Sequence, residues 1–129
     1  MENGSQTNVG DHRNGSEMNL VDTRRLADLE ESLGDGLGDV IDTYLEDAPR
    51  LIDEIEAAGR RSDLDNVHRL AHSLKSSSGI FGARALAALC YEIEQRAAGG
   101  QPVGEEDIQA LRAAFQKLRS VLNSYRPNP

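Results

Sequence analysis

The last quarter of the chain sets the fold class. Ile108, Leu111, Phe115, Leu118, Leu122 and Tyr125 recur at intervals of 3, 4, 3, 4 and 3, which lays one apolar stripe along an α-helix. Three earlier stretches keep the same period. The first carries Leu37, Val40, Ile41, Tyr44, Leu45, Leu51, Ile52 and Ile55. The second carries Leu64, Val67, Leu70, Ala71, Leu74 and Ser78, and the third Ala83, Leu86, Cys90, Ile93 and Ala97. No stretch alternates apolar and polar residues as a half-buried strand must, and Val, Ile and Thr never cluster.

Punctuation residues divide the helical pattern. Asp22 can cap a short helix over 23–33 that stops at Gly34. A long helix is predicted over 37–58, kinked at Pro49 and ended by Gly59. Ser62 or Asp63 caps the third helix, and the fourth begins near Ala83 and stops at Gly99-Gly100. The fifth runs from Glu105 to about Tyr125, with Glu105, Glu106 and Asp107 at its positive end. Short links between amphipathic helices predict an all-α, antiparallel four-helix bundle over residues 20–126, with the additional short N-terminal helix as a lid. Residues 1–19, rich in Asn, Gly and Ser with almost no apolar anchor, predict a disordered N-terminal tail.

Bulk properties exclude several function classes. A length of 129 residues suits one domain. No apolar run approaches the roughly 20 residues that span a bilayer, and the first residues lack the basic-then-apolar order of a signal peptide. The expected location is therefore the cytoplasm, with no membrane partner. The start at Met1 and the end at Pro129 favour a free-standing protein, expected to be a monomer, with a C-terminal piece of a longer chain as the alternative. A lone cysteine, Cys90, permits no internal disulfide and no cysteine-based metal cluster, and its place on an apolar stripe makes it a core residue. The net charge of −8 argues against nucleic acid. That charge is uneven: residues 20–58 hold twelve acids and three arginines, whereas 59–91 hold five bases (Arg60, Arg61, Arg69, Lys75, Arg84) against Asp63 and Asp65. The one net-positive segment suits an anion held locally.

Within it, residues 68–83 read HRLAHSLKSSSGIFGA, an odd composition for a helix, since Gly there costs roughly 1 kcal/mol relative to Ala. At about 100° per residue, His72 lies about 140° from the centre of the inner stripe and should face solvent. Lys75, Ser76 and Gly79 stand three, four and seven residues beyond it on the same face. The small side chains leave a shallow shelf on which another protein can lie. An exposed imidazole is a good nucleophile near neutral pH and can carry a phosphoryl group covalently without catalytic machinery of its own. His68, one turn earlier, is expected to border that face together with Arg69. His68 and His72 also have the i,i+4 spacing of a metal pair, but no third ligand is evident and no metal is expected. Glu94 lies about 60° off the inner stripe of the fourth helix, where it can either reach the imidazole and fix its tautomer or pair with Lys75.

The stretch AHSLKSSSGIFGARALAALCYEIE resembles the signature of histidine-containing phosphotransfer (HPt) domains, the four-helix-bundle carriers of bacterial multistep phosphorelays. The shared pattern is a His, a Lys three residues on, small residues, a Gly-Ala pair, then Leu, Cys and Glu at helical spacing. The segment YLEDAPRLIDEI extends the likeness to about 105 residues. Ser76 stands where many members have Gly. The resemblance implies that His72 is phosphorylated, that Lys75 contacts the phosphoryl group, and that His68, Arg69, Ser76, Gly79 and Glu94 form the docking face or orient the ring. It implies receiver domains of a hybrid sensor kinase and of a response regulator as partners. It also implies that the receiver, not this chain, supplies the catalytic aspartate and Mg²⁺, so the chain is a carrier without a cofactor rather than an enzyme.

Overall fold

The computed structural model describes residues 21–125 and folds them into five helices. They are α1 (Thr23–Leu33), α2 (Gly36–Arg60), α3 (Leu64–Ile80), α4 (Arg84–Ala98) and α5 (Glu105–Tyr125). Each of α2 to α5 packs on the next, and α5 closes back on α2. With such short links this gives the expected antiparallel bundle of four. The tail expected over 1–19 lies outside the described residues.

The apolar stripes meet in one core. Ile41, Ile55, Val67, Leu74, Cys90, Leu111 and Leu122 are fully shielded from solvent, a burial that supplies most of the folding drive. At one end Tyr44 stacks obliquely on Phe81 and Phe115, with centroids 4.9 and 6.1 Å away. Its hydroxyl hydrogen-bonds the buried Ser78 hydroxyl at 2.6 Å, so neither polar group is stranded in the core. Burial is the first reason that the Tyr44 hydroxyl titrates well above the ordinary phenol range. It also pushes the Cys90 thiol up to about 12, with the Glu94 charge adding and Lys75 opposing. That thiol is a packing group, as expected.

Helix α1 covers the end of the bundle where α3 turns into α4. Asp22 caps α1 by accepting from the Arg24 and Arg25 amides, and its own amide donates to the Gly82 carbonyl at 2.8 Å. Arg25 donates to the Ile80 carbonyl at 2.9 Å, placing a cation at the negative end of α3. Gly82 has φ +69, and a Cβ there would stand 2.7 Å from Asp22 Cβ. Both the turn and the docked helix therefore require glycine.

The second helix differs from expectation at its end. It passes Gly59 and stops at Arg60, because the residue in left-handed conformation is Ser62, at φ +58. Asp63 N–H donates to the Ala58 carbonyl at 2.9 Å and Ser62 N–H to that of Gly59 at 3.0 Å. This closes the helix with paired bonds of the Schellman type, in which the left-handed site usually holds glycine. Gly59 instead sits in the last turn, where a Cβ would make ordinary contact with Val103 at 3.6 to 3.7 Å. Asp63 then caps α3 by accepting from the Asn66 amide. The helix runs unbroken through Pro49, whose missing N–H leaves the Leu45 carbonyl without its usual donor.

These two turns give opposite predictions. Ser62→Gly relieves a strained φ and should stabilise the protein by about 1 kcal/mol. Gly82→Ala should destabilise it by more than that, since strain and collision add. Urea denaturation midpoints at constant slope measure both.

Candidate functional site

The face of α3 opposite its core stripe carries Asp65, His68, Arg69, His72, Lys75, Ser76 and Gly79. The His72 side chain is 57% exposed, as the wheel requires. Arg69, Ser76 and Gly79 are also exposed, and an added Cβ on Gly79 would meet open space. The face is not uniform across its width. On one flank Ser73 and Ser77 join Val40, Tyr44, Leu51 and Phe81 to line an apolar groove of about 510 Å³ between α2 and α3. On the other flank lies the charged cluster, built jointly with α4.

Glu94 is its centre. The side chain that the wheel placed at the edge of the α4 stripe is almost fully buried, at 6% exposure. One carboxylate oxygen, Oε2, lies 2.8 Å from His72 Nδ1 and 3.6 Å from His68 Nε2. The other, Oε1, lies 2.8 Å from the Lys75 ammonium, a close charge contact out of line for a good hydrogen bond. Glu94 thus meets both of its expected partners at once, one through each oxygen. Burial pushes the Glu94 carboxyl up, but Lys75 and the hydrogen bond with His72 outweigh it, and its pKa falls below the ordinary 4.5. At neutral pH it is a carboxylate.

That charge decides the histidine tautomer. A carboxylate accepts hydrogen bonds and cannot donate them, so the proton of the neutral ring sits on Nδ1, facing Glu94. Nε2 then keeps its lone pair and points away from the carboxylate, on a ring exposed to solvent. Of the two ring nitrogens, the outward one is the lone pair left open to solvent.

Two findings were not legible in the sequence. The first is Tyr91, whose ring centroid lies 5.1 Å from the Lys75 ammonium while the ring itself is 51% exposed. Its position one turn before Glu94 was the available signal. The second corrects the reading of local charge. The five bases of residues 59–91 do not converge on His72. Arg60 pairs with Glu56 and Glu105, Arg61 with Asp63, and Arg84 with Asp22. Arg69 hydrogen-bonds Asn66. Of the five, Lys75 is the one that contacts Glu94. His68 and His72 each turn a nitrogen toward Glu94. Among the described residues no group of three or more His, Cys, Asp or Glu could hold a metal ion.

A rigid helical bundle that holds one solvent-facing imidazole in a fixed tautomer has the form of a phosphoryl carrier. Residues 39–121 match the family model described as the Hpt domain, and the chain belongs to that family. It is 26% identical over 113 residues to the phosphorelay protein LuxU of two strains of Vibrio vulnificus, covering 86% of this chain and 98% of LuxU. It superimposes with a TM-score of 0.76 on the crystal structure of histidine-containing phosphotransfer protein B (HptB) from Pseudomonas aeruginosa PAO1. That match has 28% identity and covers 83% of this chain and 94% of the other. The chain is a histidine phosphotransfer protein of the kind that serves phosphorelays, and its partners belong to the receiver class. Among the described residues no helix is long and apolar enough to cross a membrane.

The charge balance within the cluster is directly measurable. Lys75→Met keeps the aliphatic stem but removes the cation that most strongly opposes the burial of Glu94. The Glu94 titration midpoint, followed by carbon NMR of its carboxyl, should rise from the wild-type value. The linked stability changes accordingly. With its pKa lowered, Glu94 stabilises the wild-type fold above about pH 4.5 and loses that contribution as pH falls through the folded value. In Lys75→Met this loss should shrink or reverse sign.

Proposed function

We propose that His72 is the phosphorylated residue and that it exchanges the phosphoryl group with the aspartate of receiver domains. The observation that carries this reading is the 2.8 Å contact of Nδ1 with a buried, ionised Glu94, which leaves Nε2 free and nucleophilic. The Nε2 lone pair attacks the phosphorus of an aspartyl phosphate, the N–P bond forms as the O–P bond breaks, and the aspartate leaves as a carboxylate. Nδ1 keeps its proton throughout. The positive charge that develops on the phosphorylated ring is met by Glu94, so loading and unloading need no proton to be removed or returned. Lys75 is expected to contact the phosphoryl oxygens once they are present.

The partners we propose are the receiver of a hybrid sensor kinase on one side and that of a response regulator on the other, meeting a cytoplasmic, monomeric carrier. The receiver would contribute the aspartate and Mg²⁺. This chain needs no cofactor of its own. Such a division suits phosphoryl transfer, where positioning and charge neutralisation dominate and either partner can supply them. His68, Arg69, Ser76 and Gly79 form the surface around the ring on which a receiver would rest.

Three substitutions test this assignment by the formation of acid-labile phosphate on the protein. His72→Gln should keep the bundle, because the side chain is exposed, and lose all labelling from phosphorylated receivers. Undiminished labelling of that variant would sink the assignment. His68→Gln should retain most of the transfer. Gly79→Leu should fold normally by circular dichroism, since its added atoms enter open space, yet transfer at least about tenfold more slowly because they stand where the receiver docks.

A further inference from the structure

Tyr91 has no packing reason to be aromatic. Its ring is half exposed on α4, outside the core stripe of Leu86, Cys90, Ile93 and Ala97. It stands one turn before Glu94, on the same flank of the helix. The Lys75 ammonium lies 5.1 Å from its ring centroid, inside the range of about 6 Å over which a ring face attracts a cation. The ammonium is therefore held from two sides, by Glu94 Oε1 at 2.8 Å and by the ring. The Lys75 side chain is only 28% exposed, which is low for a lysine on an outer helix face.

This arrangement matters because Lys75 has two possible anions. In the unloaded protein it pairs with Glu94. A phosphoryl group on His72 would offer it a second, more highly charged partner. To exchange one for the other, the ammonium must release Oε1 without swinging into solvent on its flexible four-carbon stem. A ring face is attractive over a broad area and makes no directional bond, so it can hold the cation through such a shift.

We propose that Tyr91 is a positioning residue for phosphotransfer: its ring confines the Lys75 ammonium beside His72 and keeps it there as it passes from Glu94 to the phosphoryl oxygens. The proposal rests on His72 being the acceptor. It assigns the aromatic ring, not the hydroxyl, as the part of Tyr91 that acts.

The test uses phosphoramidate, a small phosphoryl donor, so that no receiver contact at Tyr91 enters the result. His72 attacks its phosphorus and ammonia leaves. Loading is followed by phosphorus NMR in the full chain. Tyr91→Leu should load about two- to fivefold more slowly, and Tyr91→Phe should rescue most of that loss. In a Lys75→Met background, Tyr91→Leu should cause no further slowing, because the ring acts through the lysine. In the unloaded protein the Lys75 ε-methylene protons should show an upfield ring-current shift in wild type and Tyr91→Phe that disappears in Tyr91→Leu. A wild-type rate in Tyr91→Leu, or equal slowing with and without the lysine, would overturn the role of Tyr91 alone. An unlabelled His72 in wild type would overturn the acceptor assignment and, with it, this role.

Discussion

The site depends on how closely α3 and α4 pack. These two helices form the most intimate pair in the bundle, and each carries small buried residues, Ala71 and Ser78 on one and Cys90 and Ala97 on the other. Their connection is only three residues long and turns on Gly82 at φ +69. Small side chains let backbones approach, and a tight turn fixes the register between them. With that register the Glu94 carboxylate arrives beneath His72 rather than a turn above or below it. The chemistry follows from the packing.

Burying a carboxylate is costly unless it is paired and hydrogen-bonded. Here the compensation comes from His72 and Lys75, the residues we propose to receive and contact the phosphoryl group. Lys75 and His72 each take one oxygen of Glu94, so the buried charge, the ring tautomer and the place of the ammonium form one coupled arrangement. None of the three is set independently. A histidine on a solvent-facing helix would otherwise rotate among rotamers and share its proton between nitrogens; one hydrogen bond of 2.8 Å removes both freedoms.

Most of the arginine charge in the positive segment is paired. Three of the four arginines along the positive segment are taken up by ion pairs, Arg84 with Asp22 at the α1 end, Arg60 with Glu56 and Glu105 at the other, and Arg61 with Asp63. These pairs lie far from the ring along α3 and tie helix ends together. Of the five bases in that segment, Lys75 is the one that contacts Glu94.

The sequence by itself determined the helices and their inward faces. A period of 3.6 residues is set locally, so the stripes from Leu37 to Tyr125 were legible, as was the outward direction of His72. The family likeness was legible for the same reason, since His72 and Lys75 on α3, and Cys90 and Glu94 on α4, each fall at helical spacing. Helix ends were less so: Gly59 looked like a stop, yet the left-handed residue is Ser62, and the choice depends on the bonds that Asp63 and Ser62 make back into the last turn. Tertiary structure alone decided which charges meet. Glu94 is 22 residues from His72, Asp22 is 62 from Arg84, and Tyr44 is 34 from Ser78. Helical periodicity gives each residue a direction around its own axis but no distance to a residue on another helix. That distance comes from packing, and it turned an edge residue, Glu94, into the buried centre of the site.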